Sequence, residues 1–189
     1  MSTVSSPQTH LEQAAETIWA LDPAHTLVEF SAKHMMFTTV KGRFTGFQGT
    51  IHDVADDPTR SWVEAELDAA SLSTGDEKRD GHLRSADFLD VETHPKITFR
   101  STRIEGTREH FKLYGDLTIR GTTREVVFDT EFQGTGANPW GKQVAGFSAS
   151  GEVNRKDFGL TWNVALESGG VLVSDKIKIS LEVQAVKQE

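Results

Sequence analysis

The sequence predicts an all-β protein, an antiparallel barrel of about eight strands carrying one short helical insertion. Three observations predict it. Apolar and polar residues alternate through one segment after another, which is the period of a half-buried strand. Glycines fall inside those segments, as at Gly42, Gly46 and Gly49, where the bulges and bends that close a sheet on itself are placed. One central stretch, Asp80-Gly81-His82-Leu83-Arg84-Ser85-Ala86-Asp87-Phe88-Leu89-Asp90, breaks the alternation altogether.

Residues 1–16 read as a polar N-terminal extension and residues 17–188 as a single domain. The first strand begins at Ile18 and is interrupted by Pro23. Thr26 to Lys33 alternates, with Val28, Phe30 and Ala32 opposite Glu29, Ser31 and Lys33. His34-Met35-Met36-Phe37-Thr38-Thr39-Val40 then loses the period and reads as a short helical or irregular turn with a soft apolar surface. Lys41 to Val54 is expected to be one strand, with Phe47, Gly49 and Ile51 on one face and Phe44 on the other. Trp62 to Ala70 follows the Asp56-Asp57-Pro58 turn.

The central insertion starts at Thr74, with Glu77 three residues later, the pattern of a capping box. The helix is expected from Gly75 to Arg84, with Asp80 sharing a face with Asp76 and with Arg84, and with Leu83 and Phe88 as apolar anchors. His94-Pro95 ends it, since a residue before proline is driven out of helical geometry. Further strands are expected over Lys96–Thr102, His110–Arg120, Glu125–Gln133, Gln143–Asn154, Leu160–Leu166 and Val173–Val186, with an irregular patch at Arg155-Lys156-Asp157-Phe158-Gly159.

Bulk properties narrow the function. A net charge of −8 argues against a nucleic-acid surface. The absence of cysteine removes disulfides, thiolate metal ligands and thiol nucleophiles. The N-terminus has neither the basic nor the apolar region of a secretory leader, and no apolar run reaches transmembrane length, so a cytoplasmic location with no membrane span is expected. No histidine or carboxylate spacing matches a helical zinc motif, and no glycine-rich loop opens a helix, so neither metal nor cofactor is expected. An eight-stranded barrel either fills with side chains or holds one small ligand. Small residues at Ala32, Ala65, Ser101, Ala145 and Ala149 would leave room if they face inward.

Several landmarks together resemble one family. They are Asp22-Pro23-Ala24-His25-Thr26 with Phe30 and His34, then Gly42-Arg43-Phe44 with Phe47 and Gly49. Asp80-Gly81-His82-Leu83-Arg84-Ser85 with Asp87-Phe88 and Asp90 follows, then His94-Pro95 with Phe99. Gly115-Asp116-Leu117-Thr118-Ile119 with Gly121-Thr122, Arg155-Lys156-Asp157-Phe158-Gly159-Leu160, and Val173-Ser174-Asp175 complete the series. In this order they are similar to the YceI-like family of polyisoprenoid-binding proteins, over nearly all of Trp19 to Val186. The resemblance implies a lipocalin-like antiparallel β-barrel with a helical lid. It also implies a non-catalytic carrier that holds a polyisoprenoid, such as a polyprenyl diphosphate or quinone-like lipid, or another long-chain lipid, and that forms a homodimer. Some members are exported.

On that reading the pore is expected to be lined by Phe30, Met35, Met36, Phe37, Phe44, Leu83, Phe88, Phe99, Leu117, Phe128 and Phe147. The polar mouth is expected at His34, Asp80, His82, Arg84 and Arg155, where arginine and histidine would meet a diphosphate, quinone or carboxyl head. Two other readings stay open. The protein could be an enzyme acting on such a lipid, with Asp80 and His82 at its polar centre. It could instead be a filled barrel that works as an interaction module.

Overall fold

The structure, a computed structural model, describes residues 16–189. The expected N-terminal extension therefore lies outside the described residues, except for Glu16. Eleven strands are present among them: β1 Glu16–Leu21, β2 Leu27–His34, β3 Thr38–Phe44, β4 Phe47–Val54, β5 Trp62–Asp68, β6 Leu72–Ser73, β7 Lys96–Gly106, β8 His110–Ile119, β9 Thr122–Ala137, β10 Gln143–Asn154 and β11 Lys176–Lys187. One α-helix, α1 Glu77–Arg84, lies between β6 and β7.

The ring order is β1-β4-β5-β7-β8-β9-β10-β11, and pairing of β1 with β11 closes it into an eight-stranded antiparallel barrel. The long strand β11 has two successive neighbours on the same edge. Its C-terminal half pairs with β1, at Leu21↔Ala185, and its N-terminal half with β2, at Val28↔Leu181. The break at Pro23 thus splits one wall position between two strands. β3 pairs with β2 and β6 with β3, extending the wall beyond the ring at the end where α1 sits. Two register shifts, between Ser101 and Arg103 on β7 and opposite Gly146/Phe147 between β9 and β10, are bulges that bend the longest strands around the barrel.

Four local expectations are corrected. The Lys41–Val54 segment is two strands, because Thr45 and Gly46 leave the ladder and bond to Ser71 and Asp68 instead. That interruption resets the alternation, so Phe44 points to the same interior as Phe47. The Met35-Met36 segment is neither helical nor irregular. It is a two-residue hairpin turn with φ of 50° and 64°, closed by the Phe37 amide donating to the His34 carbonyl at 3.1 Å. Two positive φ values in succession define the type I′ turn, whose twist matches the flanking strands. The helix is capped by Asp76, whose carboxylate accepts from the Arg79 amide at 2.9 Å, and not by Thr74. Leu160–Leu166 is not a strand, because the carbonyls of Leu160 and Trp162 accept hydrogen bonds from Arg155.

The densest packing lies at the α1 end, where Phe88, Leu89, Phe158 and Leu160 are buried together with Ile97 and Leu117. Between this end and the other the barrel is hollow. Three phenylalanines hug glycines on neighbouring strands: a Cβ at Gly42, Gly115 or Gly151 would meet the rings of Phe30, Phe99 or Phe128 at 2.3, 2.4 and 2.9 Å. Bare backbone at these positions is what lets the rings lie against the wall.

Candidate functional site

Inward positions of all eight ring strands border one cavity of about 1010 Å³. That is at the top of the roughly 300–1,000 Å³ usual for sites that swallow a small ligand. Its wall is almost wholly apolar, including Trp19, Ile51, Leu67, Ile104, Ile179 and Leu181. The inward series on β10, from Ala145 to Val153, sets its length. At strand rise and usual barrel tilt that is roughly 20 Å along the axis. Ala32, Ala65, Ala145 and Ala149 all face it, as their size suggested. Ser101 is buried, with its Oγ accepting from the Val63 amide at 2.8 Å. Charged groups and histidines border the ends, among them His34, His82, Lys78 and Arg79 at the lid and Asp53 and Arg108 at the opposite end, while the hydroxyl of Thr130 midway along the wall donates to the Phe128 carbonyl.

Of the expected pore residues, Phe30, Phe44, Leu83, Phe88, Phe99, Leu117, Phe128 and Phe147 line this cavity. Met35, Met36 and Phe37 do not. They form and follow the β2–β3 turn and point to solvent, with 38 %, 55 % and 80 % of their surface exposed. A type I′ turn caps a hairpin beyond the barrel wall, so its side chains cannot reach the lumen.

The expected mouth residues separate in the same way. His34, His82 and Arg155 border the cavity, whereas Asp80 and Arg84 do not. Asp80 is buried and accepts from the amide and hydroxyl of Thr74, at 2.9 and 2.5 Å, which ties α1 to the chain that leads into it. Arg84 donates to the carbonyls of Ala70, at 2.9 Å, and Leu72. Both therefore fasten the lid. His82 pairs with Asp87 at 2.8 Å, not with Asp80, and its ring meets Phe88 and Trp162 edge-on at 5.1 and 4.5 Å. The His82–Asp80 couple that an enzyme reading required is not assembled.

Arg155 is held most tightly of all. Its Nε donates to Ser174, one terminal nitrogen to the carbonyls of Leu160 and Trp162, and the other to the Val173 carbonyl and the Asp175 carboxylate, at distances from 2.7 to 3.5 Å. A guanidinium has five N–H donors, and all are used. No donor is left for a ligand headgroup, so Arg155 is a strut of the lid end and not a headgroup contact. Among the described residues no cluster of three histidines and carboxylates is placed to hold a metal, and no helix is long and apolar enough to cross a membrane.

The lid's cap carries a pH dependence. The hydrogen bond from the Arg79 amide, with the nearby charges of Arg79 and Lys78, holds the Asp76 carboxyl below its ordinary range. A lowered folded-state value means that the carboxylate's contribution is complete above about pH 5 and is lost as pH falls through that value. Asp76→Ala is expected to lower the thermal midpoint at neutral pH. The gap to wild type should close as both proteins are titrated below the carboxylate range. A gap independent of pH would remove the cap from this account.

Comparison with known proteins agrees with this geometry. The sequence profile of the YceI-like domain matches residues 19–185. The chain belongs to the YceI-like family. A UPF0312 protein of Staphylococcus epidermidis is 38 % identical over 169 residues, which cover 89 % of this chain and 96 % of that one. The crystal structure of the Campylobacter jejuni YCEI protein is 30 % identical and superposes with a TM-score of 0.72, over 83 % of this chain and 90 % of that one. A domain from Saccharophagus degradans, described as polyisoprenoid-binding and implicated in plant cell wall breakdown, shares the fold at 12 % identity. Its TM-score is 0.64, over 90 % of this chain and 98 % of that one.

The YceI-like barrel also uses residues that sequence reasoning missed. Trp162 packs against both His82 and Phe88 at the lid, but lies in a segment read as strand. Arg120 donates to the carbonyls of Phe88 and Gly159, joining the β8–β9 turn to both irregular patches. Neither carries a local pattern. The inward face of β11, by contrast, was open to reading from its alternation of Ile177, Ile179, Leu181 and Val183.

Proposed function

We propose that this YceI-like protein is a non-catalytic carrier for a long apolar lipid tail, of isoprenoid type or similar length. The observation that carries this reading is the apolar cavity of about 1010 Å³ along the barrel interior. A filled-barrel module has no such space, and that alternative is set aside. Burying each methylene in such a wall is worth about 0.8 kcal/mol, so a tail along the lumen supplies ample gross affinity even after its ordering cost. The Saccharophagus degradans domain, described as polyisoprenoid-binding, has the same fold. His34 and His82 are among the polar groups at the lid end that a headgroup would meet, with Lys33, Lys78 and Arg79 also on the cavity border, and Phe88 with Trp162 forms part of the apolar wall.

Native mass spectrometry of protein purified from cells is expected to show a bound lipid mass that is released intact. Protein that carries nothing, and that gives no thermal shift with polyprenyl diphosphates, quinones and fatty acyl compounds, would overturn the carrier reading. A change of ligand mass on incubation would replace it with an enzyme.

A further inference from the structure

We propose that the lid end of the barrel docks on an anionic lipid bilayer, through the tip of the β2–β3 hairpin and the segment beside it. Met35, Met36, Phe37 and Val164 are all large apolar residues exposed to solvent at this end. They sit on adjacent segments of backbone: the Met35 amide donates to the Leu172 carbonyl at 2.8 Å, and the Leu172 amide to the Val164 carbonyl at 2.9 Å. Leu172 and Val173 line the cavity, and His34 pairs with Val173 across the same seam. The exposed patch is therefore continuous with the tunnel mouth.

The turn itself is chosen against folding preference. Both Met35 and Met36 have φ in the left-handed region. A type I′ turn is served best by Asn-Gly, and a bulky residue in either place is strained. Strain retained at an exposed, apolar tip points to a use outside the fold. Charge points to the partner. No aspartate or glutamate occurs from Phe30 to Ile51, although the chain carries a net charge of −8. Lys33 and Lys41 flank the tip on its two strands, with His34 at its base. The adjacent segment has one acid, Glu167, and α1 carries Lys78 and Arg79 beside Asp76 and Glu77. An acidic protein whose apolar tip stands on a stretch, Phe30 to Ile51, that carries only positive charge is turned by an anionic surface so that this end faces it. Four partly exposed side chains fall well short of the roughly 800 Å² per partner that a stable protein interface buries. A narrow tip can instead insert among lipid chains, where soft methionines and a phenylalanine are accommodated. Docked in this way, the mouth could exchange a tail with the bilayer without passing it through water, which is the use that the carrier reading gives it.

Flotation on vesicles tests the docking independently of what the tunnel holds. Vesicles of phosphatidylcholine with about 30 % phosphatidylglycerol, free of isoprenoid, are expected to carry the wild-type protein upward at low salt, and pure phosphatidylcholine to carry less. Met35→Asn with Met36→Gly suits the turn and relieves its strain, so this variant folds at least as well. It and Phe37→Ser are expected to reduce partition at least about tenfold, with the thermal midpoint and any co-purified lipid mass unchanged. Wild type that stays off both vesicles, or variants that float like wild type, would overturn the proposal. So would a dimer by light scattering that these variants split with no effect on flotation, because the tip would then be an interface between copies. Protein that floats but neither carries a lipid mass nor shifts its thermal midpoint with any of the lipids would support docking while removing the carrier reading.

Discussion

Arg155→Ala is expected to lower stability by about 3–5 kcal/mol and to loosen the lid end first. The side chain is 3 % exposed, and its guanidinium gathers the carbonyls of Leu160, Trp162, Val173 and Ser174 together with the Asp175 carboxylate. Burial pushes its pKa below the ordinary arginine value, and Asp175 at 3.5 Å partly opposes that. Truncation leaves several carbonyls without partners in an apolar neighbourhood, each costing about 1–3 kcal/mol less whatever water can recover. Lysine keeps the charge but cannot reach four carbonyls from one ammonium, so Arg155→Lys should fall between alanine and wild type. Urea denaturation followed by tryptophan fluorescence reads the loss, because Trp162 belongs to the same knot. A midpoint matching wild type would mean that the guanidinium is dispensable to the fold and free for a ligand.

Ala149→Phe is expected to weaken lipid retention about a hundredfold while the barrel stays folded. Ala149 faces the cavity midway along β10, with Leu181 and Thr130 as its cross-strand neighbours. The added ring enters open space, so the roughly 1–3 kcal/mol cost of overfilling a packed core does not arise. A tail stopped at that level loses contact along about three to four methylenes at about 0.8 kcal/mol each, which is on the order of a hundredfold in affinity. Ala149→Val, which removes much less of the bore, should have a small effect. The measurement is the ligand mass retained through purification, alongside the thermal midpoint. Equal retention by the phenylalanine variant would place the tail elsewhere.

The barrel was legible because strand alternation has a period of two and survives in the bare sequence at β5, β8, β10 and β11. What failed was whatever depended on a reset or on a distant partner. Two residues leaving the ladder at Thr45-Gly46 turned Phe44 inward, and nothing in the local pattern counts such a step. Met35, Met36 and Phe37 read as lumen because soft apolar residues usually are, and the turn they occupy is one that Asn-Gly normally announces. Arg155 read as a headgroup contact because the segments that satisfy it lie up to twenty residues downstream, where no spacing rule links donor to acceptor. Asp80 and His82 looked like a couple from their proximity in sequence, yet on the helix they face different partners, Thr74 and Asp87.

The three rings resting on Gly42, Gly115 and Gly151 set the calibre of the tube from its wall. A methyl added at Gly42 would meet only the side chains of Phe30 and Thr74 and would swing an aromatic plate inward like a shutter, whereas at Gly115 and Gly151 it would also strike the carbonyls of Arg100 and Val127, which no ring movement relieves. Guest width could thus be retuned at the level of Gly42 by the smallest possible substitution, while the other two levels are fixed by backbone.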